Sequence, residues 1–246
     1  ERDTPLHWAA QLGLTETLPF HLRETGVDSR SSFGKTPLHE ASGGGHTSTV
    51  QLLLDRGASV AAADRWRGTP LHGASNGGHT STVQLLLDRG ASVAAADWDG
   101  NTPLHFASWA GHTSTVQLLL DRGASVAAAT RDGWTSLHRA SGGGHTSTVQ
   151  LLLDRGASVA AATQFGKTPL HEASGGGHTS TVQLLLDRGA SVAAAAMEGN
   201  TPLHRASEGG HTSTVQLLLD RGASVAAATR VGDSTALFCQ ATFPAE

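Results

Sequence analysis

Tyrosine is absent from this chain of 246 residues, and cysteine and methionine occur once each. A single cysteine, Cys239, excludes an internal disulfide framework and fits a reducing compartment, so a cytoplasmic location is expected. No apolar run approaches the ~18 residues that a membrane span needs, and no membrane is expected as a partner. The opening residues, ERDTPLHWAA, carry no signal-peptide pattern. A dominant charge is lacking too. The 17 basic and 21 acidic residues are well mixed and leave a net charge of −4, which gives no electrostatic reason to expect nucleic acid. Signatures of catalysis are also missing: there is no G-x-S-x-G, Walker loop or H-E-x-x-H. The chain is therefore read as a non-enzyme without a cofactor.

What is present is repetition. The stretch GHTSTVQLLLDRGASVAAA occurs six times unchanged, starting at Gly45, Gly78, Gly111, Gly144, Gly177 and Gly210, with a period of 33. A fixed period of this length is the signature of a solenoid of stacked units. Residues 36–68 show how one unit works. Thr36 can cap a helix that Pro37 opens, where no N–H bond is lost. Gly43, Gly44 and Gly45 stop it. A second helix is predicted roughly from Thr47 to Arg56, with Val50, Leu53 and Leu54 as its apolar stripe and Leu52 widening it. Gly57 is the expected C-cap. An extended connector over Ala58 to Ala63 and a turn follow. Neither helix is stable alone, since about 12 residues is already marginal in water. Each must bury its stripe on the next repeat.

This unit resembles the ankyrin repeat. The resemblance rests on T-P-L-H-x-A, a G-H before helix two, L-L-L-x-x-G-A-x-V after it, and D-x-x-G-x in the turn. It implies an all-α solenoid of stacked helix-turn-helix units with projecting hairpin-like loops. The array would comprise a divergent repeat over 1–32, six near-identical repeats over 33–228 and a partial repeat over 229–246. Departures are visible. Ser59 and Ala61 stand where the family usually has Asp and Asn, so weaker loop bracing is expected. Ser42 and its equivalents replace an alanine. Arg67 takes the place of the turn glycine, which predicts another shape for that tip. Pro19 falls inside the helix-two region of the first repeat. Such uniform repeats resemble the arrays of fungal NACHT/NOD-like immune receptors. An engineered library is the rival origin, against which Cys239, Ser136, Arg67 and the ragged ends speak.

Fourteen histidines invite a metal reading. Seven belong to T-P-L-H-type motifs, six to the G-H step, and His21 stands apart. Equivalent histidines on stacked helices lie ~10 Å apart, too far for one ion with ~2 Å bonds. A structural role is expected, and no metal site.

Variation is confined to windows around each turn and first helix. Tips read Arg65-Trp66, Trp98-Asp99, Arg131-Asp132, Gln164-Phe165 and Met197-Glu198. After the turn come Lys35, Trp134 and Lys167. Beyond T-P-L-H stand Glu40, Phe106, Arg139, Glu172 and Arg205, and three residues later Trp109 and Glu208, on the same helix face. Trp8 holds the first of these positions in repeat one. The copied blocks contain no aromatic at all. Aromatics reserved for variable positions suit binding anchors, because hot spots favour Trp, Tyr and Arg. In ankyrin repeats these positions line a concave partner-binding face. The expected function is recognition of a protein or peptide there, with Trp98, Phe106, Trp109 and Trp134 as anchors. The alternative is a structural spacer in a larger receptor. Oligomeric state stays open.

Overall fold

The structure is a computed structural model and describes residues 3–225. The partial repeat expected over 229–246, with Cys239, and the side chain of Glu198 lie outside the described part. Contacts divide the chain into two compact units, Glu1–Ser125 and Val126–Glu246. Among the described residues every regular element is helical, apart from one isolated antiparallel bridge between Ala129 and Thr135.

The first unit holds four helix pairs: α1 (Pro5–Gln11) with α2 (Leu18–Glu24), α3 (Pro37–Gly43) with α4 (Thr47–Asp55), α5 (Pro70–Asn76) with α6 (Thr80–Asp88), and α7 (Pro103–Trp109) with α8 (Thr113–Asp121). The second holds three: α9 (Ser136–Gly142) with α10 (Thr146–Asp154), α11 (Pro169–Gly175) with α12 (Thr179–Asp187), and α13 (Pro202–Glu208) with α14 (Thr212–Asp220). Within each unit first helices pack on first helices and second helices on second helices. The divergent first repeat keeps its second helix because Pro19 falls in the opening turn of α2, where a missing N–H costs nothing.

The core is a row of small and branched residues. Leu38, Ala41, Val50 and Leu53 are wholly buried, and so are their counterparts in every copied repeat. Each buried leucine contributes roughly 2 kcal/mol by area. Leu52 and Leu54 are only half-buried. Thr49 fills the remaining space on that face. Hydroxyls bridge neighbouring second helices, as in Thr47 to Thr82 at 2.9 Å and Thr146 to Thr181 at 2.8 Å.

Both histidine classes tie repeats together. In the first class, the Thr36 N–H donates to His39 Nδ1 at 3.0 Å, so Nδ1 must be the bare nitrogen. Nε2 then carries the proton and donates to the Gly68 carbonyl of the next repeat at 3.1 Å. His138 does the same to Lys167 at 3.0 Å. In the second class, His79 Nε2 reaches back to the Gly43 carbonyl at 2.9 Å. Glycine is required at Gly45 for two reasons: its φ is +71°, and a Cβ there would collide with the His79 imidazole. Burial pushes the His39 and His138 imidazoles down to about 4, against the backbone hydrogen bond that would raise them.

Two expectations need correction. The connector is not extended throughout, because Ala62 N–H donates to Ser59 C=O at 3.1 Å and turns the chain. Asp55 accepts from Gln51 and pairs with Arg89 of the next repeat at 3.1 Å, and Asp154 with Arg188 likewise at 3.0 Å. The tip at Arg67 keeps the shape of its neighbours. Arg67 sits at φ +64° and donates to Asp64 C=O at 3.1 Å, matching Gly100 on Asp97. The expected weak bracing has a visible counterpart. Asp28 of repeat one bonds the Ser59 N–H at 3.1 Å, whereas the copied blocks carry serine at the aspartate's position.

Candidate functional site

Each tip is a closed five-residue loop. Asp64 N–H donates to Gly68 C=O at 2.9 Å, and Thr163 N–H to Lys167 C=O at 2.9 Å. The first side chain of the loop completes it. Asp64 Oδ1 accepts from the N–H groups of Trp66 at 2.9 Å and Gly68 at 2.7 Å. Asp97 does so for Asp99 and Asn101. Ala196 has no such oxygen, and its loop tightens into a 3-10 turn over Met197–Gly199. Neighbouring tips are tied by single backbone bonds: Arg65 to Phe33 at 3.1 Å, Trp98 to Trp66 at 3.0 Å, Gln164 to Asp132 and Met197 to Phe165 at 2.8 Å. The Gln164 amide also donates to the Asp132 carboxylate. Sequence-variable side chains therefore stand on loops closed by the same backbone hydrogen bond.

In the first unit, tips and first helices enclose a cavity of about 540 Å³. Trp66, Lys35, Glu40 and Phe106 border it. So do the variable first-helix positions Gly43, Gly73 and Asn76, not counted as contacts in the sequence, and Asp64 and Asp97, which sequence reasoning left out. The hollow opens where α5 carries Gly73 in place of the large side chain of every other repeat, beside Gly43 of α3. A Cβ at Gly73 would sit 3.5 Å from Gly43 Cα, so the two helices nearly touch and form a floor. Lys35 pairs with Glu40 at 3.5 Å. Phe33 stacks on Trp66 with centroids 5.7 Å apart and 24° between planes, while Phe106 is half-buried, edge-on to His72 at 5.6 Å. Trp8, Trp98 and Trp109 are more than half exposed, and Arg65 and Asp99 are exposed at the tips.

In the second unit, Phe165, Lys167, Met197 and Arg205 share a smaller cavity of about 390 Å³ with His171 and Asn200. Trp134 is not free-standing. It is half-buried, with the Arg139 guanidinium 5.1 Å and the Lys167 ammonium 5.9 Å from its ring centroid. Glu172 lies 3.8 Å from Lys167, and burial raises its carboxyl above the usual range despite that cation. Arg205 pairs with Glu208 at 2.9 Å. Arg131 and Asp132 are exposed.

The signals for the omitted residues were present in part. Gly43, Gly73 and Asn76 occupy the variable first-helix positions, and Asp64 and Asp97 head the D-x-x-G-x turns. A hollow made by absent side chains has no residue to announce it.

A family model described as ankyrin repeats (three copies) matches residues 1–64, 61–130, 95–163 and 137–229. The chain belongs to the ankyrin repeat family. Its fold is similar to that of the human ASB11 ankyrin repeat domain in a crystal structure, with a TM-score of 0.82 at 29% identity, covering 90% of this chain and 99% of that one. No curated protein matches the sequence. Ankyrin repeats are in general protein–protein interaction modules, and no helix among the described residues is long and apolar enough to cross a membrane. The expectation of an all-α ankyrin solenoid holds.

Proposed function

We propose that this ankyrin array is a non-enzymatic, cytoplasmic recognition module that binds a protein or peptide through its turn tips and first-helix faces. The observation that carries the reading is the division of labour within each unit. Copied blocks supply buried leucines and interlocking histidines, while tip and first-helix residues that differ between repeats border the cavities. Such a division suits diversification of a binding surface on a constant scaffold, as in the receptor arrays that the repeats resemble. Exposed Trp66, Trp98 and Trp109 then act as anchors, and Lys35, Glu40, Arg139, Lys167, Glu172 and Arg205 set specificity.

The test is selection of a random-peptide display library on the immobilised chain. Selected peptides should bind the parent and lose several kcal/mol in total on a Trp66→Ala/Phe106→Ala variant or its second-unit counterpart, Phe165→Ala/Met197→Ala. Unfolding curves check that each variant is folded. Selected peptides that bind all variants alike, or a library that yields none, would overturn the proposal.

A further inference from the structure

The first-unit cavity has a chemistry of its own. Two aromatic side chains, Trp66 and Phe106, line it beside three carboxylates, Asp64, Asp97 and Glu40, and a single lysine, Lys35. Three negative charges against one positive leave −2. The lysine is committed, since it pairs with Glu40 at 3.5 Å. Two other titratable side chains face the space, His39 and His72, and burial lowers both below the usual imidazole range. At neutral pH they add no positive charge. Asp64 is held in place by two backbone N–H bonds to Oδ1, at 2.9 and 2.7 Å, which leave Oδ2 without a hydrogen bond. The ring of Trp66 is fixed by its stack on Phe33.

Aromatic rings and carboxylates both favour a cation, the rings through their negative faces and the carboxylates by Coulomb attraction. A volume of about 540 Å³ accommodates a long side chain with part of its backbone. The second unit supplies an internal contrast. Its cavity keeps an aromatic, Phe165, but its charged lining groups are Lys167 and Arg205, with no carboxylate among the lining residues. Both cations pair with carboxylates outside the lining, Glu172 and Glu208, so the same framework here builds a hollow without the net negative charge of the first. Charge complementarity, not apolar area alone, selects the occupant.

We propose that the first-unit cavity is a subsite for a cationic side chain, arginine or lysine, of a bound peptide. This deepens the recognition reading and rests on it.

The experiment titrates the ¹⁵N-labelled chain with four capped tripeptides, Gly-Arg-Gly, Gly-Lys-Gly, Gly-Gln-Gly and Gly-Glu-Gly. The readout is the Trp66 indole N–H resonance, assigned with a Trp66→Phe variant. The expected result is a saturable shift with the arginine and lysine peptides in the millimolar range, about 1–10 mM, and none with the glutamate peptide. An Asp64→Asn/Asp97→Asn variant keeps the turn-forming acceptor oxygens, and so the fold, but should weaken the cationic peptides by about fivefold or more. Equal response to glutamine, an unchanged affinity in that variant, or no saturable shift with either cationic peptide overturns the subsite. In each of those cases the recognition reading still stands if library peptides depend on the variable windows. It falls only if they do not.

Discussion

The two units carry the same copied blocks yet line their hollows with different charged groups. The first is lined by Asp64, Asp97, Glu40 and Lys35, the second by Lys167 and Arg205. The leucines, helix-two threonines and inter-repeat histidines do not differ between them. The contrast comes from a few substitutions. At the head of the tip, Asp64 and Asp97 give way to Thr163 and Ala196. On the first helix, Gly73 and Phe106 give way to Glu172 and Arg205. A stacked array permits this because its stability is a sum over nearest neighbours and the neighbours meet through the constant part. Changes to the framework should therefore affect both units alike, and changes in a window only one.

The largest effect expected of a framework change is acid destabilisation. His39 in the first unit and His138 in the second both have imidazoles pushed from 6.5 to about 4. Above pH 6.5 each is neutral in the folded and the unfolded chain. As pH falls from 6.5 towards 4, the unfolded chain takes up protons that the folded chain refuses, so stability is lost across that window. A depression of about 2.5 units corresponds to about 3 kcal/mol for each histidine. The cause is burial, which disfavours the charged ring, and a protonated Nδ1 would in addition no longer accept the N–H of Thr36 or Thr135. Urea midpoints should fall steeply between about pH 7 and pH 4.5, with hydrogen exchange rising in both units. Glu172 works the other way. Its raised pKa means that the folded chain binds its proton first as pH falls, which offsets part of the loss in the second unit alone. A midpoint that stayed level over this range would contradict neutral, bridging imidazoles.

A smaller framework effect has the opposite sign. Ser75 in the first unit and Ser141 in the second are wholly buried, and neither hydroxyl has a hydrogen-bond partner. Alanine, the residue that the family resemblance suggests here, removes an unsatisfied group from the core and is the better helix former. Ser75→Ala and Ser141→Ala should each raise stability by about 1 kcal/mol, and by similar amounts. Loss of stability in either would mean that the hydroxyl finds a partner, such as a buried water.

The framework was legible in the sequence because its signals are periodic. Gly45 and Gly57 mark helix ends in every copied repeat and Pro37 in all of them but the one opened by Ser136, and Val50 and Leu53 give the buried stripe. What escaped depended on contacts with a neighbouring repeat or on missing atoms. Asp55 and Arg56 are adjacent in sequence, and nothing in that adjacency points to a partner in another repeat. The partner of Asp55 is Arg89, a repeat away. The alanine run after Gly57 carries no turn residue, so the turn at Ser59–Ala62 left no trace. The aromatic windows stood out by composition. The cavity did not, because its floor is made of glycine and its carboxylates look like turn formers only.

The smallest effect isolates one window. Arg67 is the one non-glycine residue with positive φ among those described, at +64° where equivalent positions hold glycine. A left-handed conformation costs an L-residue roughly 1–2 kcal/mol. Glycine relieves that strain but has more freedom to lose on folding, at about 0.5–1 kcal/mol. The net gain for Arg67→Gly should be a few tenths of a kcal/mol to about 1, confined to the first unit. The loop itself should not change, because Asp64 closes it through its own N–H to Gly68 and through Oδ1 to Trp66 and Gly68. Asp64→Ala should therefore loosen this tip where Arg67→Gly does not. Hydrogen exchange at Trp66 and Gly68 reads the difference: fast exchange in the alanine variant alone would place control of the turn in the aspartate, and fast exchange in the glycine variant would return it to residue 67.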